Sequence, residues 1–378
     1  MRIGFDGKRA VQNFTGLGNY SRYIADILCQ FYPENEYVLY APKKRENKRL
    51  NKLTEQHQQL LQLAYPSTSF WKKFSSLWRI WGVTRQLEKE RIDIFHGLSN
   101  ELPLNIHKSQ IRSVVTIHDL IFLRYPQYYQ PIDRKIYTYK FRKACENADK
   151  IIAISECTKR DIIKYFGIPS DKIEVVYQGC DLSFTRPVTE EKKREVRTKY
   201  QLPDHYILNV GSIEERKNAL SAVEALVMLP EHIHLVIVGR RTEYTDRIER
   251  FIKENNLQKR VHIISNVPFD DLPAFYQSAE IFVYPSRFEG FGIPIIEALY
   301  SNIPVVAATG SCLEEAGGPD SIYVHPDDAK GMADAFKQIY SDPVKKKNMI
   351  EKGLKFARHF SEEKQAEEIL NIYKKLMK

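Results

Sequence analysis

Residues 284–307 read YPSRFEGFGIPIIEALYSNIPVVA. The run just before and into this stretch, IFVYPS (281–286), is short, apolar and rich in β-formers, as a buried strand is. Glu289, Gly290, Phe291 and Gly292 follow as a loop. Pro294 then suits the first turn of a helix, where its missing N–H costs nothing. PVVAA (304–308) supplies the next strand, so the segment spells one strand–loop–helix–strand turn of a parallel α/β sheet. A helix start carries free backbone amides that can point at a phosphate, and Gly290 and Gly292 permit close backbone approach. Glu289 in the loop and Glu297 about one turn into the helix stand on either side of that amide cluster. The arrangement suits a ligand with hydroxyls at both ends and a phosphate in the middle, as a nucleotide sugar has.

The same alternation extends in both directions. Strands are expected at YILNVG (206–211), HLVIVG (234–239) and VHII (261–264), with helices from about Ala219, around Asp246–Glu254 and around Leu272–Ser278. The first half repeats the pattern: MRIGFDG, YVLY (37–40), Ile92–Phe95, Val114–Ile117, Ile151–Ile154 and Ile173–Val176 read as strands separated by longer helical stretches. Tyr20, Tyr23, Ile24, Ile27 and Leu28 mark a helix packed by one face. Between the halves, 186–204 turns highly charged (EEKKREVRTKY) and loses its strands. The expected organisation is therefore a doubly wound Rossmann-like domain at 1–185, a linker at 186–204, a second such domain at 205–360, and a helix at 361–378 that packs back on the first domain. Two such domains leave a cleft at the carboxyl ends of their sheets, where these folds bind ligands.

Composition narrows the classes. The 378 residues carry a net charge of +9, with 43% hydrophobic and 28% charged residues, a core-forming balance that excludes a disordered chain. No apolar run reaches the ~18 residues of a membrane span, and the charged start MRIGFDGKRA is unlike a signal peptide. Five scattered cysteines with no CxxC pair point to reduced thiols in a cytoplasmic protein, with neither a disulfide frame nor a zinc site. Residues 1–185 hold 29 basic and 19 acidic residues, a net +10, while 186–378 hold 28 and 29, a net −1. The first half therefore meets something anionic: a phosphate-bearing substrate, a membrane surface or nucleic acid.

Three further loops sit where strands end. GSIEERKNAL (211–220) puts Arg216 and Lys217 just before a helix start, with Asn218 suited to cap it. TGLGNYSRY (15–23) sets Gly16 and Gly18 at a helix start after the first strand, and SVVTIHDLIF (113–122) ends a strand at His118–Asp119. A lone GxG is usually a turn and a lone His usually structural. A strand-end His is also a reasonable hydrogen-bond donor or proton handler.

EGFGIPIIEAL resembles the signature of the retaining glycosyltransferases of family 4, a two-domain GT-B group, and the resemblance spans nearly the whole chain, towards its bacterial mannosyltransferase-like members. It implies that Glu289 contacts the donor sugar, that the amides of Gly290, Phe291, Gly292 and Ile293 meet sugar and diphosphate, and that Glu297 binds the ribose. It also implies that Lys217 stabilises the leaving nucleoside diphosphate. Many members carry an Arg directly after the glycine where this chain has Ser212, so Arg216 or another group must supply a second cation. The resemblance places Gly16 and Gly18 against donor phosphate and acceptor, puts His118 near the reacting centre, and adds Val267 to the donor-binding set. With no Asp-x-Asp anywhere, neither metal nor cofactor is expected. The donor is a GDP- or UDP-linked hexose, mannose first, and the acceptor a glycan or lipid-linked chain in cell-surface polysaccharide synthesis. A sugar-nucleotide epimerase on the same architecture, or a basic nucleic-acid-binding protein, are the alternatives; no nucleic-acid-binding motif accompanies the charge, so nucleic acid ranks last as a partner.

All three tryptophans fall in SFWKKFSSLWRIWGV. Phe70, Trp71, Phe74, Leu77, Trp78 and Trp81 recur at helical spacing with Lys72, Lys73 and Arg79 between them. Two readings stay open for 70–81: a helix lying on the anionic inner face of a membrane, or one packed by its aromatic side on the first domain.

Overall fold

The structure, a computed structural model, describes residues 1–14 and 16–378; Thr15, the first residue of the expected Gly-rich loop, lies outside them. The chain divides into two units, Met1–Tyr177 with Glu362–Lys378, and Gln178–Ser361. Each is a parallel sheet wound with helices, as the alternation predicts.

In the first unit the strands are β1 (Arg2–Asp6), β2 (Glu36–Tyr40), β3 (Leu61–Ala64), β4 (Ile94–Gly97), β5 (Arg112–Ile117), β6 (Lys150–Ala153) and β7 (Ile173–Val175). They lie in the order β3-β2-β1-β4-β5-β6-β7. The second unit contains β8 (Tyr206–Val210), β9 (His234–Val238), β10 (Val261–Ile264), β11 (Ile281–Tyr284), β12 (Val305–Ala308) and β13 (Ile322–Val324), ordered β10-β9-β8-β11-β12-β13. Both sheets reverse their winding once, between β1 and β4 and between β8 and β11. A doubly wound sheet opens a crevice at that switch, beyond the carboxyl ends of its strands. The strands are buried on both faces: Ile3 and Phe5 of β1 and Phe282 and Val283 of β11 are fully enclosed, which is why they read as continuous apolar runs.

The expected 186–204 linker contains a helix, Glu190–Tyr200, that belongs to the second unit. It has little apolar periodicity, and polar contacts carry it instead. Thr189 caps it by accepting from Lys192 N, and Lys192 and Lys199 both reach the buried Asp271 carboxylate at 2.8 Å. The division of the chain falls at 177/178, ahead of that charged segment. The last helix, Glu362–Leu376, packs on helix Gly16–Phe31 of the first unit and sends Ala366, Ile369, Leu370 and Tyr373 into its core. There the Tyr373 hydroxyl meets His96 Nδ1 at 2.6 Å, and His96 Nε2 meets Thr116 Oγ1 at 2.8 Å.

The 70–81 stretch is not one helix. Helices Ser69–Lys73 and Ser75–Leu77 lead into a wider π turn, Trp78–Gly82, before helix Val83–Lys89. The extra residue of such a turn rotates the side chains beyond it relative to those before it. Trp78 is only 1% exposed, in a cluster with Tyr40, Phe95 and Ile106, whereas Trp81 is 47% exposed. The single aromatic face expected from spacing is thus split, with Trp78 inside and Trp81 outside.

Candidate functional site at the switch of the second sheet

The loops after β8 and β11 leave neighbouring strands at the switch, and Asn209 of β8 reinforces their pairing by donating from Nδ2 to the Val283 carbonyl at 2.9 Å. The first loop turns at Gly211, whose φ of +153° suits glycine; a β-carbon there would meet the Lys217 side chain at 3.2 Å. A short 3-10 turn, Glu215–Lys217, then presents Arg216 and Lys217. Asn218 does stand before helix Ala219–Leu226, but in left-handed conformation and without capping it. Its Nδ2 donates instead to the carbonyls of Pro326 (2.7 Å) and Pro285 (3.3 Å), binding this loop to the one after β11.

These two loops bring together Arg216, Lys217 and Glu289. Glu289 Oε1 lies 3.2 Å from Lys217 Nζ and accepts from Ser286 Oγ at 2.8 Å and Tyr284 Oη at 3.1 Å. Its Oε2 lies 3.0 Å from Arg216 Nη1. Arg216 also donates to the Phe288 carbonyl, and Lys217 Nζ donates to Tyr284 Oη at 2.9 Å. Burial alone would raise the Glu289 pKa, but the charges of Lys217 and Arg216 outweigh it and bring the carboxyl down to about 2. Burial would lower both cations, and Glu289 holds both above their usual range. At neutral pH the three side chains, each less than a fifth exposed, therefore share a net charge of +1. Glu214, more exposed, lies 3.7 Å from Arg216 Nη2 and offsets part of that charge.

The loop of Glu289 leads into helix Ile293–Tyr300, whose first turn holds Pro294. Gly292 before it has φ +135°, and a β-carbon there would press on Leu313 and Ala316 at 3.1 and 3.2 Å. Phe291 is 2% exposed and packs edge-on against Phe360 at 5.4 Å, so its side chain is structural and only its backbone is left for a ligand. The Cys312 thiol lies within hydrogen-bond distance of the Glu289 (3.0 Å) and Phe291 (2.8 Å) carbonyls and shapes the loop from behind. Gly290 is buried and Ile293 half-buried.

One turn into the helix, Glu297 Oε2 accepts from Tyr276 Oη at 2.7 Å. Burial pushes the Glu297 carboxyl up, the Tyr276 bond opposes this, and the Asp181 carboxylate adds to it, leaving the pKa at about 7. The two carboxylates thus differ sharply: Glu289 is locked in its ionised form and Glu297 is poised near neutrality. Val267 stands in the loop after β10, at the same end of the sheet but two strands from β8.

The remaining sequence-derived candidates belong to the first unit. His118 follows β5, 6% exposed, with Nε2 2.9 Å from the Leu98 carbonyl and the Tyr20 ring edge-on at 4.6 Å. Since a carbonyl only accepts, Nε2 carries the proton. Burial drops the imidazole to about 4, so it is neutral at physiological pH. Gly18 is required by packing, because a β-carbon would overlap the Asn13 carbonyl oxygen at 2.0 Å, whereas Gly16 faces open space. Tyr276, Tyr284, Ser286 and Cys312 were not singled out from sequence. Only Tyr284 and Ser286, flanking the strand-to-loop corner, carried a positional signal.

Known proteins share both halves of this architecture. Residues 20–184 match the family model Glycosyltransferase Family 4, and residues 190–356 match Glycosyl transferases group 1. O-antigen chain mannosyltransferase B of Escherichia coli is 30% identical over 289 residues, covering 75% of this chain and 74% of that protein. Among solved structures, a glycosyltransferase from Rickettsia africae superposes with a TM-score of 0.78 at 22% identity, over 100% of this chain and 98% of that one. HepE from Anabaena, in complex with UDP-glucose, gives 0.78 at 16% identity, over 99% and 100%.

Proposed function

This chain belongs to the family 4 glycosyltransferases, and from that membership we propose that it moves a mannosyl residue, with retention of configuration, from a nucleoside-diphosphate sugar to a glycan or lipid-linked acceptor in cell-surface polysaccharide synthesis. The observation that carries this reading is the Arg216–Lys217–Glu289 cluster beside the Ile293 helix start. It combines two enclosed cations, the backbone amides of a helix start and a carboxylate that stays ionised. The name of the Escherichia coli relative supports mannose. GDP is the first choice of carrier and UDP the second.

In this reading the diphosphate settles against the helix start and Lys217, and Arg216 holds the loop in register through Glu289 and the Phe288 carbonyl. Glu289 accepts hydrogen bonds from the sugar hydroxyls and, as an anion, stabilises the positive charge that develops on the ring. Glu297 accepts from the ribose hydroxyls. The bond from the sugar C1 to the diphosphate breaks as negative charge gathers beside Lys217. The acceptor oxygen bonds to C1 on the face the diphosphate leaves, and its proton passes to the departing phosphate oxygen. No step draws on a metal or a covalent enzyme nucleophile. Acceptor recognition is assigned to the first unit, whose sequence carries the excess positive charge, with His118 as a neutral hydrogen-bonding group there. The protein is assigned to the cytoplasm, where nucleotide sugars are available.

Incubation with GDP-mannose and with UDP-glucose in the presence of a glycan acceptor, in EDTA and in added magnesium, tests the reading. Faster nucleoside diphosphate release from GDP-mannose, unchanged by EDTA and giving an α-linked product by NMR, is expected. An inverted product, or turnover abolished by EDTA, would overturn the mechanism. Conversion of the donor to its epimer without transfer would favour the epimerase.

A further inference from the structure

We propose that the exposed apolar side chains of Phe70, Phe74, Leu77 and Trp81 dock on a bilayer containing anionic lipid, holding the first unit against the membrane surface. These four apolar side chains are 59%, 41%, 41% and 47% exposed within twelve residues of chain. Their backbone is firmly held. Thr68 Oγ1 caps the first helix by accepting from Trp71 N, and the Trp71 ring lies so close to Gly82 that a β-carbon there would approach it to 2.7 Å. Trp78 is anchored in the core with its indole N–H on Gln86, and Arg79 turns inward to the Asp6 and Glu101 carboxylates. The exposed rings are thus presented by a braced turn.

Charge selects the partner. No Asp or Glu occurs between Glu55 and Glu88, in a chain with 48 of them, and the exposed Lys72 and Lys73 lie in the middle of the apolar set. Lysines are depleted from the centres of protein interfaces. On an anionic bilayer their stems lie along the acyl boundary while their ammonium groups reach lipid phosphates. Among the described residues no helix is long and apolar enough to cross a membrane, so docking of this kind is peripheral. It rests on the glycosyltransferase reading only for its purpose, which is to bring the enzyme to a lipid-linked acceptor.

Co-sedimentation of the full chain with vesicles needs neither donor nor acceptor. Binding is expected to mixed phosphatidylglycerol–phosphatidylcholine vesicles and not to phosphatidylcholine alone, and to weaken with salt. Phe74→Ser with Trp81→Ser should abolish it without changing the thermal midpoint or nucleotide affinity, both side chains being outside the core. Lys72→Gln with Lys73→Gln should weaken it by about thirtyfold, roughly what two lysines contribute near such a surface. Should the serine pair fail to fold, quenching of wild-type tryptophan fluorescence by brominated lipid supplies a second readout. Wild type that stays in the supernatant, or serine variants that sediment equally, would overturn the proposal. So would a dimer that the serine variants dissociate while vesicle binding persists, since these side chains would then join two copies. A chain that binds vesicles but no nucleotide would overturn the sugar-transfer reading and leave this one standing.

Discussion

The two sheets share their winding, yet their carboxyl ends are built from different chemistry. At the end of the first sheet, His118 is neutral on the Leu98 carbonyl, and the enclosed charges, Asp6 at the end of β1 and Glu101, are both tied to Arg79. At the end of the second, charge is concentrated in Arg216, Lys217 and Glu289, with Glu297 nearby on the helix. Net charge runs the opposite way, +10 for residues 1–185 and −1 for 186–378. Overall charge therefore does not mark the place proposed for the diphosphate. A few buried ions in a nearly neutral unit do, because interactions in a desolvated site are far stronger than those between screened surface charges. One winding can thus carry two chemically different ends, the difference lying in the loops.

The sharpest break of this comparison is at Glu289. Glu289→Gln should lower turnover by about 10³-fold, since it removes an anion aimed at developing charge, with nucleoside diphosphate release as the measure. A variant within tenfold of wild type would erase the contrast between the two ends. Next, Lys217→Ala should lower kcat by roughly 10²-fold with a smaller change in donor KM, because its charge is used mainly as the leaving group departs.

The third effect is a pH dependence. With Glu297 at about pKa 7, donor hydroxyls that donate to its ionised form bind better as pH rises through 7, and lose this advantage below it. Calorimetry should show nucleotide affinity several-fold higher at pH 8 than at pH 6, a dependence that Glu297→Gln removes. His118, already neutral above about 4, should contribute no inflection near 6.5 in the same range. The smallest expected effect lies wholly in the first unit: Tyr373→Phe takes a buried hydroxyl from His96 and should cost about 1–2 kcal/mol of stability in urea unfolding, with turnover unchanged.

Most of the strands of both units are legible as short β-branched or aromatic runs, because a buried parallel strand needs little beyond continuous apolar character. Two are not. Leu61–Ala64, an edge strand of the first sheet, is interrupted by Gln62, and Ile322–Val324, an edge strand of the second, is a three-residue run broken by Tyr323 and flanked by polar residues. Helix Glu190–Tyr200 is hidden for a different reason: with Val196 as its one buried residue, it is held by its cap and by Asp271 from far along the chain.

The strand–loop–helix order at 281–300, and with it the placing of Glu289, Gly290, Gly292 and Glu297 at a helix start, is determined by the sequence itself, because glycine, proline and apolar period act over a few residues. That Arg216 and Lys217 converge on Glu289, some seventy residues away, depends on β8 lying beside β11. The pKa of Glu297 likewise depends on enclosure and on a tyrosine from another helix. Trp78 points inward and Trp81 outward because a π turn shifts the register between them, against a core assembled from β2, β4 and the 106–111 segment. Local pattern specifies elements and the residues at their ends. Which charges meet, and which aromatics remain in water, is decided only when distant segments pack and exclude solvent.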